Sequence, residues 1–478
     1  MIWPLRRKKT FAIPKTAFDP IGQRLIGLTM ETGAPIWAPK GHSLLLSANG
    51  GGKSTCGAMP WLFSYAASES DKAVLYLDSK NGEAALQAAD MLARLGRKVA
   101  IIDDMGVLPE DCPHRVSLNP FGSAVAAARY KPKGLIYGID NITHALIPEP
   151  AEQDERNAYF RWWPRNLNEF GLRTLLKRST ALAVPGALWA LLSDPPKLRK
   201  FAAIEAEEGD PALKALATNL LEMSGHEHWP QHLEAAQRSV RLFSEGAYLH
   251  NTGAEAATTH ADLIKDGAVI FLVGPQAYIN RLGPYYALHI MAFIDALYGG
   301  AGSLRVIADE FTNAPLKSLV EALTTLRAFG CEVHMIAQSR SEIERKFGRL
   351  EVQTIEENAI VKQWFGFSSF DEAERVSKAI GEEHAVMRSL GADTESQRLQ
   401  TNLNLGRQPQ LSAAELMSMP PNVQLNHIKG VGFFRSYKIG QQNITPYCHM
   451  LAPNPLEGGL LAPEPRITLV TPTNGAAS

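Results

Sequence analysis

Two separated clusters of residues in this chain could together do phosphoryl-transfer chemistry. The first is Ser47-Ala48-Asn49-Gly50-Gly51-Gly52-Lys53-Ser54-Thr55, three successive glycines followed by a lysine and two hydroxyls. Glycine opens backbone conformations closed to other residues, so the N–H groups from Asn49 to Thr55 can converge on a triphosphate, and a following helix adds its positive end. In such a loop Lys53 reaches the β- and γ-phosphates and the Ser54 hydroxyl ligates Mg2+. Read alone, the stretch is also compatible with a glycine-rich turn before a structural helix.

The second cluster is Asp309-Glu310, at the end of the apolar run Leu304-Arg305-Val306-Ile307-Ala308. Asp309 is the candidate for the Mg2+ shell, and Glu310 for orienting and activating a water that attacks the γ-phosphate. Transfer to water gains little from binding alone and depends on a positioned nucleophile. A third candidate, Gln338, follows the run Glu332 to Ala337 and could hydrogen-bond the γ-phosphate or its water. The competing reading there is a helix start capped by Ser339, with Gln338 incidental.

Positioning these groups requires strands that end together. His42 to Leu46, Ala73 to Leu77, Lys98 to Asp103, Ala268 to Val273, Leu304 to Ala308, Glu332 to Ala337 and Ile360 to Phe365 are short apolar runs suited to buried strands. Helical patterns separate several of them, among them Cys56 to Ala67, Gly82 to Arg97 and Tyr285 to Leu297. Alternation of this kind predicts an α/β fold with a parallel sheet, whose ligand crevice lies beyond the carboxyl ends of the strands. Asp78 and Lys80 then fall on the same rim as the glycine-rich loop.

From about Gly122 to Asp266 the strand-like runs stop, and leucines recur at helical spacing. The expected organisation is 1–122 as the first part of the nucleotide-binding domain, 123–266 as an inserted all-α domain, 267–453 as its second part, and 454–478 as a disordered tail. Within the insertion Arg161-Trp162-Trp163 reads as core aromatics in preference to a stacking platform. His226-Glu227-His228 with His232 reads as a surface loop in preference to a metal site, because Pro230 interrupts the helix that would align them. Gly391 to Gln408 reads as a polar linker, and Leu411 to Met417 as a capped helix start.

Composition narrows the class. The 478 residues, 45% hydrophobic and 20% charged, suit a globular protein of about three ordinary domains or one large domain with an insertion. A formal net charge of −1 leaves any nucleic-acid contact to a local basic surface. Cys56, Cys112, Cys331 and Cys448 lack paired spacing, which points to reduced, cytoplasmic thiols. No run approaches the roughly 20 apolar residues that span a bilayer. The basic start Arg6-Arg7-Lys8-Lys9 has no apolar segment after it, so it is not a secretory signal; it reads as a solvated tail.

Taken in order, these residues resemble the TraG-like type IV coupling proteins, ATPases that deliver DNA or protein substrates to conjugation and secretion channels. The resemblance runs from about His42 to His449. It rests on Gly50 to Ser54, on Asp78-Ser79-Lys80-Asn81-Gly82-Glu83 beside the family's Asp-Pro-Lys-Gly-Glu segment, and on Asn119-Pro120. It continues through Asp309-Glu310-Phe311, Gln338-Ser339, Phe365-Gly366 and Leu416-Met417-Ser418-Met419-Pro420. The chain departs from the family at Ser47, where Gly is usual, and at Ser79, where Pro is usual, and it lacks the two transmembrane helices with which many members begin.

The resemblance implies a RecA-like P-loop ATPase using ATP and Mg2+, with an inserted all-α domain that recognises DNA or a nucleoprotein such as a relaxase complex. It implies a homo-hexameric ring with nucleotide between neighbours, completed by an arginine in trans, for which Arg281 and Arg340 are candidates. It also implies type IV secretion channel components as partners. Without its own membrane helices the protein is expected to be cytoplasmic, or peripheral at the inner membrane through a partner. Two other readings keep the motor and change the cargo: an FtsK- or HerA-like DNA translocase, and a secretion ATPase with protein cargo. A third is a nucleotide-gated adaptor with little turnover.

Overall fold

The computed structural model describes residues 24–69, 71–150, 155–313, 317–392 and 399–439. Its strands are β1 (Leu25–Leu28), β2 (Pro35–Trp37), β3 (Ser43–Leu46), β4 (Ala73–Asp78), β5 (Val99–Ile102), β6 (Val269–Val273), β7 (Leu304–Ala308), β8 (Cys331–Ala337), β9 (Val361–Trp364), β10 (Glu382–Ala392), β11 (Leu399–Pro409), β12 (Val423–Ile428) and β13 (Gly432–Tyr437). Eleven of them form one sheet in the order β2-β1-β13-β12-β9-β3-β8-β7-β4-β6-β5. From β9 to β5 every pairing is parallel, and β12, β13, β1 and β2 extend the sheet antiparallel.

The apolar runs form central strands because both of their faces are covered. Successive side chains point to opposite faces, and the sequence shows this directly. Leu44 and Leu46, Leu75 and Leu77, and Ile270 and Leu272 join one core. Leu45, Val74 and Tyr76, and Phe271 and Val273 join the other. The helices Met59–Ser68 and Glu83–Arg94 cover the second face with Trp61, Phe63, Tyr65, Ala85 and Leu92. The first face is covered by Gly283–Tyr298 and by helices of the segment between β5 and β6.

That segment contains helices and no strand among its described residues, from Gly122–Tyr130 to His260–Lys265. Two of its helices open with proline in the first turn, where its missing N–H costs nothing, after an aspartate that caps: Asp194 accepts from Lys197 N, and Asp210 from Ala212 N and Leu213 N. The segment is joined to the α/β core: Leu135–Leu146 packs on Gly283–Tyr298, and Asn141 Nδ2 donates to Asp295 Oδ1 at 2.9 Å.

Three expectations need correction. Pro230 does not interrupt the histidine segment; it lies in the first turn of the helix Trp229–Ser239, which turns His232 inward. The buried His232 ring packs 5.0 Å from Tyr159 and 5.6 Å from Phe160, and among the described residues no His, Cys, Asp or Glu group is arranged to hold a metal. Trp162 is not core: on the helix Ala158–Arg178 the buried stripe begins at Pro164 and Leu167, leaving Tyr159, Phe160 and Trp162 exposed. Gly391 to Gln408 is not a linker throughout; β10 and β11 pair from Glu382↔Pro409 to Ala392↔Leu399. Polar composition hides this ribbon, because backbone hydrogen bonds hold an antiparallel pair whatever its side chains.

The expected helix near Leu411 is present as Ala413–Met417, with Ser412 and Glu415 forming a capping box. Residues 454–478 and Cys448 lie outside the described residues, and no helix among the described residues is long and apolar enough to cross a membrane.

Candidate nucleotide-binding site

The parallel register brings the carboxyl ends of β3, β8, β7 and β4 to one edge of the sheet. Leu46 pairs with Ala337, Ala308 with Met335, and Leu77 with Ala308. β8 lies between β3, which leads into the glycine-rich loop, and β7, which ends at Asp309. Gln338 therefore emerges between the two clusters.

The loop from Ser47 to Lys53 is fixed at both ends. Ser47 N donates to Ala337 O at 3.1 Å, and Cys56 N to Gly52 O at 2.7 Å. Gly50 and Gly52 have φ of +75° and +87°, which require glycine. A side chain at Gly51 would place Cβ 2.1 Å from Ser47 Oγ, so a buried serine at position 47 is accommodated by the missing side chain opposite it. A π-helical turn, Ser54–Ala58, runs directly into Met59–Ser68, and no side chain caps its start. The first backbone N–H groups of this continuous helix thus remain available at the loop.

Ser54 and Asp309, 255 positions apart, meet here: Ser54 Oγ donates to Asp309 Oδ2 at 2.7 Å. Lys80, just beyond β4, donates from Nζ to Ser54 Oγ at 2.9 Å and to Asp309 Oδ2 at 3.0 Å. Buried Lys53 Nζ lies 3.2 Å from Glu310 Oε1, and Lys80 Nζ 3.8 Å from the same oxygen. Burial alone would lower the Lys80 ammonium, but Asp309 and Glu310 outweigh it and hold its pKa above the usual lysine value. Burial, opposed by the Ala85 and Lys80 N–H groups and reinforced by Asp309, pushes Asp78 up to about 7.

The donors suit a triphosphate with a hard cation. Lys53 Nζ is buried and, apart from its ion pair with Glu310, makes no hydrogen bond, which leaves donors for phosphate oxygens. A hydroxyl and one carboxylate, Ser54 and Asp309, are the kind of sparse oxygen set with which Mg2+ is held beside nucleotide phosphates and water. Asn49 and Thr55 are exposed at the rim, and Gln338 is half-buried. The capping reading also holds in part: Ser339 Oγ accepts from Glu342 N, and Gln338 N donates to Glu342 Oε2 at 3.2 Å. Of the two arginines, Arg281 is exposed, whereas Arg340 is engaged by Glu344 at 3.0 Å and Glu356 at 3.3 Å of its own chain.

Sequence reasoning missed Lys438. It follows β13, yet its buried Nζ donates to Gly51 O at 3.1 Å and Phe365 O at 2.8 Å, and burial lowers its pKa. The C-terminal strands thereby hold the loop, a link across 387 positions that no spacing rule reveals.

Residues 303–421 match the family TraG-D_C, described as the TraM recognition site of TraD and TraG. No curated protein sequence matches the chain. Among solved structures, the unbound monoclinic form of the bacterial conjugative coupling protein TrwBdeltaN70 has a TM-score of 0.65 at 16% identity, covering 89% of this chain and 91% of that one. The plasmid coupling protein TrwB in complex with ADP and Mg2+ has a TM-score of 0.62 at 17% identity, covering 85% and 87%. VirB4 of Thermoanaerobacter pseudethanolicus has a TM-score of 0.50 at 13% identity, covering 89% and 98%. At these identities the structural matches speak for the fold, which is that of the P-loop ATPases. With the family match, they bear out the resemblance to TraG-like coupling proteins.

Proposed function

We propose that this chain is an ATP-hydrolysing coupling protein that drives DNA or a nucleoprotein toward a type IV secretion channel. The observation that carries the reading is the convergence of Lys53, Ser54, Asp309 and Glu310 at one sheet edge, with Ser54 and Asp309 in contact at 2.7 Å. Lys53 neutralises the β- and γ-phosphates, and the N–H groups from Asn49 to Thr55 cradle them. Ser54 and Asp309 would hold Mg2+, which would offset the charge of the phosphates. Glu310 orients water for in-line attack and accepts its proton, and Gln338 hydrogen-bonds the γ-phosphate. Nucleotide and Mg2+ in TrwB structures support this assignment of cofactors.

In this reading residues 1–122 and 267–453 form the motor and 123–266 the domain that recognises cargo. The match to a TraM recognition region supports a relaxosome partner. The motor works as a homo-hexamer, with exposed Arg281 the better placed candidate for a neighbour's site, at the inner membrane through a membrane partner. DNA is gripped through its backbone. Salt titration of single- and double-stranded DNA binding, with and without ATP, tests the cargo assignment. Binding that weakens steeply with salt supports it; no binding at low salt rejects DNA as direct cargo. A secretion ATPase with protein cargo is the second reading, supported by a net charge of only −1, which gives no global pull toward nucleic acid.

A further inference from the structure

Lys80 sits where a cation bound to Ser54 and Asp309 would have to sit. Its Nζ is 2.9 Å from Ser54 Oγ and 3.0 Å from Asp309 Oδ2, while Ser54 Oγ itself donates to the same Asp309 oxygen. The ammonium therefore closes a three-membered ring of contacts around the two oxygens assigned to Mg2+. Glu310 Oε1 lies 3.8 Å from the same ammonium.

The backbone that carries Lys80 is built to hold it there. Lys80 follows β4 by two residues and precedes two consecutive left-handed residues, Asn81 with φ +59° and Gly82 with φ +71°. Asn81 N donates to Gly274 O at 3.1 Å, and Asn81 Oδ1 accepts from Gln276 N at 2.9 Å, so the turn is tied to the end of β6. A side chain at Gly82 would strike Leu108, with Cβ 2.4 Å from its Cδ2. The turn is rigid, and the freedom to leave lies in the flexible lysine stem, whose side chain is a quarter exposed.

We propose that Lys80 is a built-in stand-in for the divalent cation: its ammonium holds Ser54 and Asp309 together and withdraws when Mg2+ enters with nucleotide. The inference rests on the reading of Ser54 and Asp309 as the cation pair. An ammonium and a divalent ion cannot share these two oxygens, because like charges at hydrogen-bonding distance repel strongly in a site partly shielded from water. The phosphates of an incoming nucleotide add the negative charge that tips the exchange toward the metal. The device keeps the acidic pocket neutralised at all times and denies it to cations that arrive without nucleotide.

The test is a Mn2+ titration of the full chain without nucleotide, followed by electron paramagnetic resonance of the free ion. Wild type and Lys80→Arg, which keep a tethered cation, are expected to bind Mn2+ weakly. Lys80→Met is expected to gain one site at least about tenfold tighter, lost again when Asp309→Asn is added. Equal binding by wild type and Lys80→Met overturns the proposal. Should Lys80→Met melt near assay temperature, millimolar Mn2+ alone must raise its melting temperature, and failure to do so counts equally against the inference. Nucleotide binding by Lys53→Ala is measured in parallel. If it persists, the reading of the site is wrong; if it is lost while Mn2+ binding is indifferent to Lys80, only the role of Lys80 is.

Discussion

Lys53 Nζ and Glu310 Oε1 lie 3.2 Å apart, so the lysine proposed for phosphate and the carboxylate proposed for water hold each other in the structure. Glu310 does so from a backbone φ of +58°, a left-handed conformation that costs a non-glycine residue about 1–2 kcal/mol. Strain at this residue fits a side chain that must point into a crevice where its strand has already ended. Under the proposed function, nucleotide phosphate competes for Lys53 and frees Glu310 for water.

Lys53→Met removes the cationic partner of the phosphates. Charge-assisted hydrogen bonds contribute about 1.5–3 kcal/mol, so nucleotide affinity should fall about 10- to 100-fold. Titration with a fluorescent ATP analogue checks this; an unchanged Kd would remove Lys53 from the site.

Lys438→Met should loosen the glycine-rich loop from a distance. It deletes donations to the part-buried Gly51 O and the buried Phe365 O, at a cost of about 1–3 kcal/mol. The expected result is a lower urea midpoint together with weaker nucleotide binding. A stability loss with unchanged nucleotide affinity would confine Lys438 to a structural role.

Arg305, within β7, is buried and holds Glu69 by two contacts, at 2.8 and 3.1 Å, with Glu332 at 3.4 Å. Arg305→Met leaves Glu69 with Lys72, at 2.6 Å, and Glu332 with the Gly41 N–H, at 3.0 Å, and the Tyr65 hydroxyl, and should destabilise the fold by about 3 kcal/mol in urea denaturation, since the central partner of a buried network is removed. A change below about 1 kcal/mol would mean that the acids find water or other partners.

The amino-acid sequence disclosed the site in proportion to how far its strands are buried. β3, β4, β6, β7 and β8 are covered on both faces, so each is an apolar run, and the polar residues closing those runs could be read as rim groups. β12 and β13 escaped notice because they carry a buried polar set: Gln424 Nε2 donates to Ile26 O at 2.6 Å and Ser436 Oγ at 2.8 Å, and Asn426 Nδ2 to Ser436 Oγ at 2.8 Å. Such residues are buried only because they satisfy one another, which composition does not disclose. Lys80 was placed on the rim by its position after β4, but its grip on Ser54 and Asp309 is a matter of three-dimensional distance. Residue type alone misplaces Trp162 and Pro230, because one helix face and one first turn decide burial there.

His42 gives a pH test. Its Nδ1 accepts from Val333 N and its Nε2 donates to Leu323 O, both at 2.9 Å, an arrangement that requires neutral imidazole. Burial, only partly opposed by the Leu323 carbonyl, lowers its pKa to about 4 from 6.5. Between these values the unfolded chain binds a proton that the folded one does not. The contribution is therefore fully present above pH 6.5 and lost as pH falls toward 4, by up to about 3 kcal/mol. Other buried histidines act in the same window, so the informative quantity is the difference between wild type and His42→Asn in melting temperature from pH 7.5 to 4.5. That difference should shrink on acidification; a pH-independent difference would contradict the assignment.

The most direct measurement is steady-state ATP hydrolysis by wild type and Glu310→Gln, with and without single- and double-stranded DNA, alongside nucleotide binding. The account predicts DNA-stimulated turnover in wild type and a fall of about 10²–10⁴-fold in Glu310→Gln with ATP binding retained, the range expected for loss of a general base. ATP binding without turnover in wild type under every condition, or turnover indifferent to Glu310→Gln, would contradict a motor whose chemistry runs through this site.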